Sequence, residues 1–95
     1  MSDDRETRRY VVSGRVQGVG FRWFVEREAA MLGITGWVRN RDSGTVEVMA
    51  TGTREQLNAL HSRLREGPRA ARVDDVEVSP APFLETQSFG IEGAW

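Results

Sequence analysis

The sequence contains neither cysteine nor lysine. Without cysteine the chain has no disulfide, no thiolate metal ligand and no cysteinyl-phosphate chemistry. The lack of cysteine does not indicate whether the protein works in an oxidising or a reducing compartment. Without lysine it cannot form a Schiff base with a carbonyl substrate. The single histidine, His61, has no cluster of carboxylates to accompany it, so it cannot complete a metal site. We therefore expect no bound metal.

Long apolar runs are also missing. No stretch could cross a bilayer, and residues 1–9 are polar and charged, without the apolar core of a secretion signal. We therefore expect a cytoplasmic protein with no membrane partner. The net charge of -1 gives no general attraction to nucleic acid, so any anion binding must be local. The length of 95 residues predicts a single domain, which we expect over residues 7–95 after a disordered lead over residues 1–6.

Apolar residues alternate between strand and helix periodicity along the chain. A strand ends at Gly14, a helix follows and stops at Gly33, and a hairpin occupies residues 34–51. A capping-box pattern at Thr53 opens a second helix, after which come a fourth strand and a short last strand at residues 89–91. This order predicts an α+β, ferredoxin-like split βαβ fold (βαββαβ), with two helices on one face of an antiparallel sheet. The residues predicted to face that sheet from the helices are Phe21, Phe24, Val25, Ala29, Leu32, Leu57, Leu60 and Leu64.

The connection between the first strand and the first helix is rich in glycine and ends in an arginine. Residues 13–22 read Ser-Gly-Arg-Val-Gln-Gly-Val-Gly-Phe-Arg. Gly14, Gly18 and Gly20 allow the positive φ angles that let several N–H groups converge on one point. The following helix N-terminus and the guanidinium of Arg22 favour a negative charge there. The loop therefore predicts an anion site.

The loop does not have the pattern of a nucleotide-binding loop. No Gly-Lys-Ser or Gly-Lys-Thr follows, and the glycines do not have dinucleotide spacing. Acidic or hydroxyl residues suited to magnesium are also missing. Taken alone, the loop remains open to a second interpretation, a β-to-α turn with Arg22 in solvent.

Two segments together resemble the signatures of the acylphosphatase family. Residues 14–22 match Gly-x-Val-Gln-Gly-Val-x-Phe-Arg, and residues 36–52 match Gly-aromatic-small-x-Asn followed by spaced glycines. The resemblance implies metal-independent hydrolysis of small acyl phosphates to a carboxylate and inorganic phosphate. It further implies no cofactor and a cytosolic monomer. We expect no nucleic-acid partner, and we expect inorganic phosphate or sulfate to bind as product or analogue.

The resemblance also implies which residues act. The family's phosphate-binding arginine falls on Arg22, and its water-positioning asparagine falls on Asn40. The phosphate-binding segment falls on Val16, Gln17, Gly18, Val19, Gly20, Phe21 and Arg22. One departure lies at the C-terminus, where Glu92-Gly93-Ala94-Trp95 stands in place of an arginine and a terminal tyrosine. Gly90 is also expected to interrupt the last strand.

Other polar and aromatic residues have simpler interpretations. His61 lies beside the apolar face of the second helix and is expected to be structural. Asp74 and Asp75 are adjacent in a strand, so they point to opposite faces and do not form a carboxylate pair. Ser43 is expected to form the hairpin turn rather than to assist a water molecule. Arg63, Arg65, Arg69 and Arg72 are expected to be solvated.

Aromatic residues near the loop leave more than one interpretation. Trp23, Phe24 and Trp37 could suggest base stacking, but the helical phase of Phe24 predicts the core. Trp37 is either a core residue or part of the acyl side of the site. A strand over residues 45–51 without an aromatic argues against RNA binding on the sheet.

Two alternatives to a small hydrolase remain. The chain could be a ferredoxin-like module that binds RNA or an anionic effector without catalysis. It could also be an acylphosphatase-like domain of a larger carbamoyl-transfer maturation enzyme. The length and the lack of zinc-finger cysteines lead us to expect a free-standing protein.

Overall fold

A computed structural model of the chain describes residues 4–93. Five strands form one sheet in the order β4-β1-β3-β2-β5, and two helices pack on it. No helix within the described range is long and apolar enough to span a bilayer. The elements are β1 (Glu6–Arg15), α1 (Phe21–Leu32), β2 (Thr35–Asn40), β3 (Val46–Gly52), α2 (Arg54–Glu66), β4 (Arg72–Pro80) and β5 (Phe89–Ile91).

The predicted ferredoxin-like α+β fold is confirmed, with one correction to the sheet. β1, β2, β3 and β4 pair antiparallel, as expected. β5 instead pairs parallel to β2, with Gly90 opposite Trp37, so the sheet is mixed rather than wholly antiparallel. Gly90 therefore lies within the last strand and does not interrupt it. The pairing continues past the strand, because the Glu92 N–H donates to the Val38 carbonyl at 2.8 Å.

The helices begin and end at the predicted residues. The N–H of Gly33 bonds to carbonyls of the last turn of α1. Thr53 accepts from the Gln56 N–H at 3.1 Å, and Gln56 accepts from the Thr53 N–H at 2.8 Å, which completes the capping box of α2. Gly67 follows the last turn of α2, where its N–H donates to the Arg63 carbonyl at 2.9 Å.

The core lies between the helices and one face of the sheet. Its helical part is buried as predicted, although Phe24 and Leu32 are only partly buried at the margin. Tyr10 crosses this interface, and its hydroxyl donates to the Leu57 carbonyl at 3.0 Å. The strand residues that complete the core include Val12, Val38, Val46, Val48 and Ala50.

The predicted domain boundary is close to the start of β1. Glu6, the last residue of the expected lead, already lies in that strand, so β1 begins one residue before the predicted start of the domain. Residues 1–3 and 94–95 lie outside the described range, so the rest of the predicted lead and the end of the unusual C-terminus stay predictions.

Candidate active site

The loop of residues 16–20 connects β1 to α1 and ends in a glycine that caps the helix. Gly18 and Gly20 have φ angles of 74° and 79°, a left-handed conformation that side chains disfavour. Gly20 is the N-cap of α1, and no side chain caps the helix. The first intrahelical donor is the N–H of Phe24, which bonds to the Gly20 carbonyl at 3.1 Å. The N–H groups of residues 21–23 therefore have no carbonyl partner within the helix.

The amides of this segment are available to a ligand. Within the described part of the chain, no N–H of residues 17–23 donates to a backbone carbonyl. A Cβ atom added at Gly18 or Gly20 would meet no other atom within 4 Å, so the space beside both glycines is open. Free N–H groups beside a helix N-terminus form a suitable site for an anion.

A hollow of about 210 Å³ brings Arg22 and Asn40 together. Arg22 forms no ion pair with any carboxylate between residues 4 and 93. Its guanidinium therefore remains available to a charged ligand, to which it can donate two parallel hydrogen bonds. The residues that line the hollow come from the loop, the first turn of α1 and the end of β2: Val16, Gly18, Gly20, Phe21, Arg22, Trp23 and Asn40.

Asn40 reaches the hollow from the last residue of β2, where its backbone is paired with Val46 of β3. Its Oδ1 atom is buried and has no hydrogen-bond partner among the described residues. Leaving such an acceptor unsatisfied costs about 1–3 kcal/mol. The atom is thus ready to accept a hydrogen bond from a water molecule or hydroxyl group in the hollow.

Gln17 connects the loop to the turn that follows Asn40. Its Nε2 atom donates to the Arg41 carbonyl at 2.8 Å and to the Thr45 carbonyl at 2.9 Å. These carbonyls lie at the two ends of the turn, which is itself closed by a bond from the Arg41 N–H to the Thr45 carbonyl at 2.9 Å. One carboxamide therefore holds the loop against the β2–β3 hairpin beside Asn40.

The predicted site residues do not all line the hollow. Val16 and Phe21 do, but both side chains are buried, so these residues offer backbone to a ligand. Gln17 and Val19 lie outside the lining, Gln17 with its side chain bonded to the hairpin and Val19 packed against the core. Trp23 lines the hollow and was not predicted. The sequence signal for including Trp23 is its position directly after Arg22, in the first turn of α1.

The remaining polar candidates lie elsewhere. His61 packs edge-on against Tyr10, with ring centroids 5.7 Å apart. Burial, together with the charges of Arg65 and Arg8, lowers the pKa of His61 below its ordinary value. Ser43 pairs its hydroxyl with that of Thr45 at 2.8 Å, consistent with a role in the turn.

Trp37 neither enters the core nor lines the hollow. The guanidinium of Arg39 lies 5.0 Å from its ring centroid, a cation–π arrangement. Asp74 and Asp75 are exposed, as expected, and Asp74 accepts from Arg72 at 3.0 Å. Arg63 departs from its expected solvation, because it forms an ion pair with Glu28 that connects the two helices.

A buried glutamate that the sequence does not predict lies on the opposite face of the sheet. Glu47 accepts hydrogen bonds from Arg9 at 2.5 Å and from Arg39 at 2.8 Å. Burial alone would raise the pKa of Glu47, but the two guanidinium groups outweigh it and hold the pKa below its ordinary value. This group stabilises the sheet and does not face the hollow.

Residues 4–93 contain no group of three or more His, Cys, Asp or Glu side chains arranged to hold a metal ion. A separate cavity of about 340 Å³ lies at the hairpin turn, lined by Arg39, Asn40, Arg41, Asp42 and Ser43. This cavity includes no residue of the glycine loop, whereas the smaller hollow includes Gly18 and Gly20.

Known acylphosphatases resemble this chain in both sequence and structure. The family model described as acylphosphatase matches residues 8–91. The chain is 59% identical to an acylphosphatase of Koribacter versatilis over 96 aligned positions, which cover 100% of this chain and 87% of that protein.

Two solved structures are also similar. The structure of an acylphosphatase from Coxiella burnetii superposes with a TM-score of 0.90 at 36% identity and covers 94% of each chain. The crystal structure of acylphosphatase from Bacillus subtilis superposes with a TM-score of 0.87 at 40% identity, covering 92% of this chain and 98% of that one.

Proposed function

The chain belongs to the acylphosphatase family, and on that premise we propose how its own residues carry out the reaction. The protein is a hydrolase that acts on the carboxyl–phosphate bond of an acyl phosphate and releases phosphate. The roles proposed for the residues rest on one observation. Arg22 and Asn40 line the same hollow, next to loop amides that bond to no backbone carbonyl, and the Oδ1 atom of Asn40 has no hydrogen-bond partner among the described residues.

The first proposed step is binding of the phosphoryl group. The N–H groups of the loop and of the first turn of α1 donate to its oxygens, and Arg22 adds a charged two-pronged donor. Hydrogen bonds to charged groups contribute about 1.5–3 kcal/mol each. These donors neutralise charge on the phosphoryl oxygens as the transition state forms, which is the main form of catalysis available for phosphoryl transfer.

The second proposed step is attack by water. Asn40 accepts one water O–H at its Oδ1 atom and so holds the water oxygen in line with the phosphorus and the leaving carboxylate. The bond from water oxygen to phosphorus forms while the phosphorus–carboxylate bond breaks. A carboxamide is not a base near neutral pH, so a phosphate oxygen takes the water proton. The leaving carboxylate is stable as an anion and needs no general acid.

A direct assay tests this function. The purified chain is mixed with benzoyl phosphate in the presence of a metal chelator, and hydrolysis is followed by loss of ultraviolet absorbance. We expect wild-type turnover to survive chelation and to disappear in Arg22→Ala. Loss of turnover on chelation would contradict the proposed metal independence. A complete lack of turnover in clean wild-type protein would favour the alternative of a non-catalytic anion-binding module.

Monomeric state and cytoplasmic location are also proposals. Only four large apolar side chains are exposed within residues 4–93, namely Trp23, Met31, Val78 and Phe83, and so small a number favours a monomer. Sedimentation at working concentration tests the first proposal, and fractionation of cells tests the second.

A further inference from the structure

Trp23 is exposed to an unusual degree for the largest apolar side chain. Its exposed fraction is 71%, although it stands in the first turn of a helix whose neighbouring apolar residues face the core. Among residues 4–93 its indole has no stacking partner and no cation over its ring. The residue therefore contributes little packing to the fold, and its apolar surface is open to a ligand.

The position of Trp23 is what distinguishes it from other exposed apolar residues. The other large ones in the described range are Met31, Phe83 and Val78, and none of them lines the hollow. Within the hollow the other apolar side chains, Val16 and Phe21, are each only 1% exposed. Trp23 is thus the one large apolar side chain of the lining that a bound molecule can touch.

The chemistry of the substrate gives this surface a use. The phosphoryl group is held by the amides and Arg22, so the acyl group must extend from the phosphate toward the mouth of the hollow. Arg22 and Trp23 both line the hollow, so the guanidinium and the indole border the same space. A flat apolar acyl group placed there would cover the indole, and aromatic pairs gain from offset or edge-to-face contact.

We propose that Trp23 forms the acyl subsite of this enzyme and selects acyl phosphates whose acyl group is apolar, with aromatic groups favoured over small aliphatic ones. This inference rests on the proposed function of the same hollow. In this proposal the loop amides and Arg22 bind the phosphoryl group, and the indole of Trp23 contacts the acyl group.

Turnover of two substrates tests the proposal. The ratio of kcat/KM for benzoyl phosphate to that for acetyl phosphate is measured in wild type, Trp23→Ala, Trp23→Phe and Met31→Ala. Met31 is 70% exposed on the same helix and serves as the matched control. We expect the ratio to fall about 5- to 20-fold in Trp23→Ala, to be largely kept in Trp23→Phe and to stay unchanged in Met31→Ala.

Inorganic phosphate provides the control for the loop itself. Its inhibition constant should change less than twofold in Trp23→Ala, since the phosphoryl donors are untouched. A ratio that stays at the wild-type value in Trp23→Ala would overturn the proposal. An equal fall of the kcat/KM ratio in Met31→Ala would also overturn it. The same holds if the phosphate inhibition constant of Trp23→Ala rises by as large a factor as its kcat/KM ratio falls.

A binding measurement separates this inference from the proposed function. Calorimetric titration with phenylphosphonate and methylphosphonate needs no turnover. The wild type should prefer phenylphosphonate, and Trp23→Ala should lose that preference. If wild type hydrolyses neither acyl phosphate, the proposed function fails while the acyl subsite is still decided by these two titrations. Equal affinities for both phosphonates in wild type would reject the subsite even in an active enzyme.

Discussion

The side-chain amide of Gln17 donates to the backbone carbonyl of Arg41 at 2.8 Å. This bond joins the glycine-rich loop to the residue that directly follows Asn40. The same nitrogen also donates to the Thr45 carbonyl, so one side chain bonds to both ends of the hairpin turn. The distance between the loop donors and the Asn40 side chain is therefore set by a residue that does not line the hollow.

We predict that Gln17→Glu lowers kcat more than it lowers phosphate affinity. A carboxylate has the same shape but cannot donate to the two carbonyls, so the loop shifts relative to Asn40. Displacement of about 1 Å at a reacting centre can cost about 100-fold in rate, and we expect kcat to fall about 10- to 100-fold. Steady-state kinetics and phosphate inhibition measure the two effects.

Gln87→Glu is the matched control for this change, because Gln87 is exposed in the segment before β5. It should leave both constants near the wild-type values. Wild-type kcat in Gln17→Glu, or the same loss in Gln87→Glu, would show that the connection to the hairpin does not position Asn40.

We predict that Gly20→Ala lowers phosphate affinity at least about tenfold. Its φ of 79° is unfavourable for alanine by about 1–2 kcal/mol, and the added methyl group enters the open space where the anion binds. Gly44→Ala imposes a similar strain at φ of 93° in the hairpin turn, also with open space around it. Phosphate titration should therefore distinguish two variants of similar stability. Equal loss of affinity in both would mean that strain alone explains the effect.

We predict that Glu47 contributes to stability in a pH-dependent manner. Its pKa in the folded protein is lower than the ordinary value of 4.5, so the unfolded chain takes up the proton first as the pH falls. The contribution is complete above the unfolded pKa and is lost as the pH falls through the folded pKa. Glu47→Gln should lower the free energy of unfolding by about 1–2 kcal/mol at neutral pH and flatten its decline in acid.

Urea denaturation at several pH values measures this dependence. Glu85→Gln changes an exposed glutamate and should reproduce the wild-type curve. The same steep acid decline in Glu47→Gln as in wild type would assign the pH dependence to other carboxylates.

The sequence predicts the elements of this fold well because their ends are encoded locally. The Thr53–Gln56 capping box and the glycine after α1 act over a few residues and need no tertiary context. The parallel pairing of β5 with β2 could not be predicted in this way. This pairing depends on the path of the chain after β4. That path brings the Ser88 carbonyl to the Gly36 N–H, next to the residues of β5.

In the candidate site, too, local sequence patterns can be predicted and tertiary contacts cannot. The glycines and Arg22 are recognisable in the sequence because residues 14–22 match the first signature of the family. The direction of a side chain depends on what the fold places beside it. The carboxamide of Gln17 bonds to the hairpin turn, and the indole of Trp23 lines the hollow. Glu47 forms ion pairs with arginines from two other strands.

We propose that Arg22 binds the phosphoryl group while Asn40 positions the water. The most direct test measures phosphate affinity and kcat together in Arg22→Ala and Asn40→Ala, with benzoyl phosphate as substrate. We predict that both variants lose turnover, that Arg22→Ala also loses phosphate affinity, and that Asn40→Ala binds phosphate nearly as wild type does. Equal loss of phosphate affinity in the two variants would contradict this division of roles.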